Sequence, residues 1–172
     1  MEENTLLHHL LPAWRGRRAL LVCDQDPVSR AMHVLLDEIG ARPACVSPAC
    51  DSETLCHALL SGRGAIMIVP SLNAYLALPP ERQLPALRSL LGEAREAGTP
   101  LVTLLADQAA APALTPLMCC ADEFCQGTHG DAVSVQAIWH DGMNVQKACI
   151  GALALGARFL SGDLACTGTF TL

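Results

Sequence analysis

The chain has 172 residues, is 51% hydrophobic and 16% charged, and carries a formal charge of −6. That balance specifies a folded domain with a well-buried core and excludes a disordered chain. The acidic charge speaks against phosphate-backbone recognition, so no nucleic-acid partner is expected. Met1 is followed by Glu2 and Glu3 rather than by a basic and then an apolar run. No stretch reaches the roughly 18 apolar residues of a membrane span. The expected setting is therefore cytoplasmic, with no membrane partner.

Residues 1–18 read as an N-terminal extension whose basic cluster, Arg15, Arg17 and Arg18, suits a solvated strand entrance. Ala19–Cys23 is a short apolar run of the kind found in buried parallel strands. From Pro27 to Ile39, Val28, Met32, Leu35, Leu36 and Ile39 recur at helical spacing. Asp26 is a natural N-cap there, Pro27 suits the first helical position, and Gly40 closes the helix. Arg42–Ser47 reads as a second strand, Ser52–Leu60 as a helix and Ala65–Val69 as a third strand. Pro80–Ala97 reads as a helix closed by Gly98, and Leu101–Leu105 as a fourth strand.

Residues 108–130 are rich in Ala, Pro, Cys and Gly and read as an irregular loop, a lid or an interface. Ala132–Trp139 alternates as a fifth strand, Asn144–Leu160 is a helix, and Leu164–Leu172 suits a last strand. Gly151 and Gly156 in that helix predict close packing against another backbone.

Strands alternating with amphipathic helices predict one α/β domain over residues 1–172. The expected fold is a three-layer, Rossmann-like, mostly parallel sheet of five to six strands with helices on both faces. The strand order is open between 3-2-1-4-5 and 2-1-3-4-5.

Ligands of such sheets sit beyond the carboxyl ends of the strands, which makes Cys23, Asp24, Asp26, Ser47, Ser71 and Asp107 the expected binding cleft. A dinucleotide needs glycines after the first strand, and residues 24–30 contain none. NAD(P) is thus disfavoured and no cofactor is expected. Asp24, Asp107 and His140 are the candidate catalytic groups, provided that they converge on one reacting atom. Alternatively, His140 caps a turn into Gly142, and Asp24 and Asp26 serve helix capping. Cys23, with His33 or His57 near it, is a weaker nucleophile candidate, since neighbouring carboxylates raise a thiol pKa. Cys119, Cys120, Cys125 and His129 offer S and N ligands for zinc, but in no common spacing. Trp14, Trp139 and Tyr75 are scattered aromatics that an interface would use.

Two resemblances refine the expectation. The run Leu87–Gly98 followed by Leu101–Leu105, and the run His140–Ala148 followed by Ser161–Asp163, resemble the extended short-chain dehydrogenase/reductase family of epimerase/dehydratase type. That family implies a nucleotide-binding fold with a Tyr-x-x-x-Lys pair. Here the single tyrosine is Tyr75 and the single lysine is Lys147, and Asp107 or Gln108 stands where the serine belongs. The likeness is thus to a degenerate or truncated member. The opening Leu21–Arg30 resembles a response-regulator receiver domain, which implies acidic residues holding Mg²⁺ beside an acceptor aspartate at the end of the third strand. That strand ends Val69-Pro70, and the single lysine, Lys147, falls within the last helix rather than at the end of the fifth strand. The expectation is a non-catalytic domain acting by self-association, by partner binding or by weak binding of a nucleotide-like ligand. A divergent reductase-like enzyme and a pseudo-receiver are the alternatives.

Overall fold

The structure is a computed structural model that describes residues 2–61, 65–125, 133–142, 144–162 and 167–172. Its elements in order are α1 (Glu2–Trp14), β1 (Arg18–Val22), α2 (Pro27–Glu38), β2 (Arg42–Val46), α3 (Ser52–Ser61) and β3 (Ile66–Val69). A 3-10 helix (Leu72–Ala77), α4 (Pro80–Glu96), β4 (Val102–Asp107) and a 3-10 turn (Gln108–Ala110) follow. The chain continues through α5 (Ala111–Cys125), β5 (Val135–His140), α6 (Val145–Leu160) and β6 (Gly168–Thr171). All pairings are parallel, and the six strands stand in the order β2-β1-β3-β4-β5-β6. The fold is thus α/β and three-layered, as its alternating pattern predicts. Its core order is 2-1-3-4-5, with a sixth strand beyond β5; the alternative order, 3-2-1-4-5, is not formed.

Central strands covered on both faces must be apolar throughout, and β3 is buried at every residue and β1 at all but its first. The edge strand β2 is largely exposed and carries Pro43, which an edge tolerates. One core lies beneath α3, α4 and α5, and the other beneath α1, α2 and α6. α2 starts as its sequence predicts. Asp26 is the N-cap, Pro27 is the first helical residue, and Gly40 leaves the helix at φ +80°.

Four sequence expectations are corrected. The stretch 108–130 is not an irregular loop: its described part is the 3-10 turn and α5. Leu114, Leu117, Met118, Ala121 and Phe124 form a buried stripe at helical spacing that packs on α4 and β5. Pro112 falls in the first turn. Pro116 stands on the exposed side of the helix. The side chain of Asp107 caps the lead-in, accepting the N–H of Ala109 at 2.9 Å.

Residues 1–18 are more than an extension. Leu10 and Trp14 of α1 are buried in the second core, and the indole N–H of Trp14 donates to the carbonyl of Leu153 in α6 at 2.9 Å. A Cβ on Gly156 would lie 2.7 Å from the Trp14 ring, and one on Gly151 would lie 2.9 Å from the Leu172 side chain. The small residues of α6 therefore admit side chains rather than a neighbouring backbone. Trp14 and Tyr75 are core residues, each 1% exposed, and neither serves a surface interface. No helix among the described residues is long and apolar enough to cross a membrane.

Candidate functional site

Beyond β1 and β3 the sheet reaches its switch point, because β1 connects through α2 to β2 on one side and β3 through α4 to β4 on the other. In open α/β sheets the crevice at this point is the expected ligand position. Three groups of polar residues line the carboxyl edge.

The first group follows β1. Asp26 accepts the N–H of Ser29 at 2.9 Å and its hydroxyl at 2.7 Å, so both carboxylate oxygens are engaged at the start of α2. Asp24 is exposed and accepts the Ser47 hydroxyl at 3.4 Å, while Ser47 Oγ accepts the N–H of Ala49 at 3.1 Å. Burial pushes the Cys23 thiol up to about 12, with Cys45 and Asp26 adding to the effect and Ser29 opposing it. Burial, then Asp26, pushes Cys149 to about 12 as well. Both are thiols rather than thiolates at neutral pH, which removes them as ready nucleophiles.

The second group follows β3. Pro70 is buried, and Ser71 opens the 3-10 helix without a side-chain cap bond. Neither residue is a carboxylate.

The third group joins β4 to β5. Asp107 and His140 are register partners at the ends of these strands. The Asp107 N–H donates to Asn73 Oδ1 at 3.0 Å, and the Gly142 N–H donates to His140 Nδ1 at 3.0 Å. His140 thus caps the turn into Gly142, as one reading of the sequence has it. Since Nδ1 accepts, the neutral ring carries its proton on Nε2. His140 is 3% exposed, and burial lowers its pKa against the opposing pull of Asp107 and Asp141. Gly142 has φ +71°, and a Cβ there would lie against the Asp107 carboxylate.

Asp107 and His140 therefore come together, whereas Asp24 stands two strands from Asp107, roughly 10 Å away. His140 feels the charges of Asp107 and Asp141, and the hydrogen bond of Asp24 goes to Ser47. The zinc candidates also separate. Cys119 is exposed on α5, and Cys120 is buried, its thiol raised by that burial. Consecutive helical residues point about 100° apart. Cys125 closes the same helix, and His129 lies outside the described residues. No three His, Cys, Asp or Glu side chains gather as metal ligands among the described residues.

Two cavities adjoin this edge. One, of about 420 Å³, opens between α3 and α4 and reaches Val22, Ser47, Cys50, Leu55 and Tyr75. The other, of about 480 Å³, lies against α6 and is lined by His140, Asn144, Lys147, Gly151 and Leu172. Tyr75 was not among the site residues that strand ends suggest. It enters from the 3-10 helix after β3, and its signal in the sequence is that it is the chain's single tyrosine. Comparison with known proteins gives no family model and no curated protein that matches this chain.

Proposed function

We propose that this chain is a binding domain on a receiver-like scaffold that has no phosphoryl-transfer chemistry, and that it acts through a protein partner or a second copy of itself. One observation carries the reading. In a sheet of order 2-1-3-4-5, the central strand β3 ends on Val69 and a buried Pro70, where a receiver would carry its acceptor aspartate. Proline offers no nucleophile. The acidic residues after β1 are engaged elsewhere: Asp26 caps α2 and Asp24 accepts Ser47. The fifth strand ends on His140, not lysine.

A dinucleotide-dependent reductase has less support. A pyrophosphate binds at a helix N-terminus through free N–H groups and close backbone. Here the Asp26 carboxylate already occupies the start of α2, and no glycine follows β1.

A thermal-shift series with NAD(H), NADP(H), and Mg²⁺ plus a phosphoryl donor tests both statements. A ligand at 100 times its Kd stabilises by about 2.7 kcal/mol. The expected result is no shift with any of them. A saturable shift with a dinucleotide would overturn the non-catalytic reading.

A further inference from the structure

We propose that the cavity between α3 and α4 is a small-molecule site, and that Tyr75 recognises an uncharged ligand with an apolar body and one acceptor oxygen. The proposal goes beyond the loss of phosphoryl chemistry and stands or falls separately from it.

Position comes first. Val22 ends β1, Ser47 and Cys50 follow β2, and Tyr75 follows β3, so the cavity opens beside the switch point, where doubly wound sheets take ligands. Its volume of about 420 Å³ lies within the range of small-molecule pockets.

Tyr75 is the second, independent observation. The residue is 1% exposed and borders the cavity. Its hydroxyl forms no hydrogen bond among the described residues and is not sealed in the core, so it opens on the cavity, where a water or a ligand oxygen can accept from it. Burial raises its pKa, with Cys50 adding to the shift, so the group stays a neutral O–H donor at every physiological pH.

The lining sets the ligand class. The floor is apolar, formed by the buried Val22, Leu55 and Leu90. At the mouth, Asp51 and Glu81 outnumber Arg82, so no surplus cation is present to hold an anion. A neutral bicyclic lactam or ketone satisfies both the floor and the phenol.

The chain has a single tyrosine, so selective labelling of tyrosine ring carbons gives one reporter at the site. The probes are 2-quinolone, naphthalene as its acceptor-free counterpart, and 2-naphthoate as its anionic one. Saturable movement of the Tyr75 signal with 2-quinolone is expected, with weaker binding of naphthalene and of 2-naphthoate. Tyr75→Phe should weaken 2-quinolone about tenfold, the equivalent of about 1.4 kcal/mol, and leave naphthalene unchanged. Its affinity is read by competition or calorimetry, since the label is lost. The variant should melt at or above the wild-type temperature, because it deletes a hydroxyl that bonds no described residue. Ala49→Trp, at an exposed position of the lining, should block 2-quinolone without changing the melting temperature. A silent Tyr75 signal, equal affinity in wild type and Tyr75→Phe, tighter binding of 2-naphthoate, or a lower melting temperature of Tyr75→Phe would each overturn the proposal.

Discussion

At the scale of single residues, the carboxyl end of β4 and β5 holds a tightly constrained turn. Gly142 takes φ +71°, a region that costs a side chain of the order of 1–3 kcal/mol, and a Cβ there would meet Asp107. Gly142→Ala should therefore destabilise by at least about 2 kcal/mol, measurable by urea unfolding. His140 gives a pH signature of known sign. Burial favours its neutral form, so its folded pKa lies below the unfolded value of about 6.5. Between those two values the unfolded chain holds a proton that the folded chain does not. Stability should fall as pH drops from about 6.5 through the folded value, and the loss levels off below it. His140→Asn keeps an acceptor for the Gly142 N–H and should remove this part of the acid slope in a urea-unfolding pH series. An unchanged slope in the variant would contradict the assignment.

At the scale of elements, what was legible in the sequence depended on how cleanly period and punctuation agreed. β1, β3 and β4 announce themselves as short apolar runs because both their faces are covered. α2 is legible to the residue because Asp26, Pro27 and Gly40 mark its ends. α5 was not, although its stripe of Leu114, Leu117, Met118 and Ala121 is regular. Pro112 and Pro116 argue against a helix unless one knows that Pro116 faces solvent, which is a tertiary fact. α1 was missed for a related reason: what holds it is Trp14 reaching across to Leu153 and Gly156, a contact made at long sequence separation.

The candidate site was legible only in part. Strand ends located Asp24, Asp26, Ser47 and Asp107, but which of them meet depends on strand order, and Tyr75 comes from a 3-10 helix with no motif. Two core truncations test the elements. Trp14→Ala should cost about 3–5 kcal/mol, where a loose extension would cost nothing measurable. Leu117→Ala in α5 should cost about 2–5 kcal/mol, against near zero for an irregular loop. Denaturant midpoints at unchanged slope report both.

At the scale of the whole molecule, the sheet order places β1 and β3 side by side, with the switch point between them. The same arrangement that could host phosphoryl transfer here offers a proline, a capped helix and a tyrosine-lined cavity. A fold does not fix a function, and the proposed binding role rests on these residues rather than on the sheet that carries them. The most direct measurement is the intact mass of the protein after incubation with acetyl phosphate and Mg²⁺. The account predicts an unmodified mass at all donor concentrations. A hydroxylamine-labile gain of one phosphoryl group would contradict it, since an aspartate elsewhere at the edge would then be doing the chemistry that Pro70 cannot.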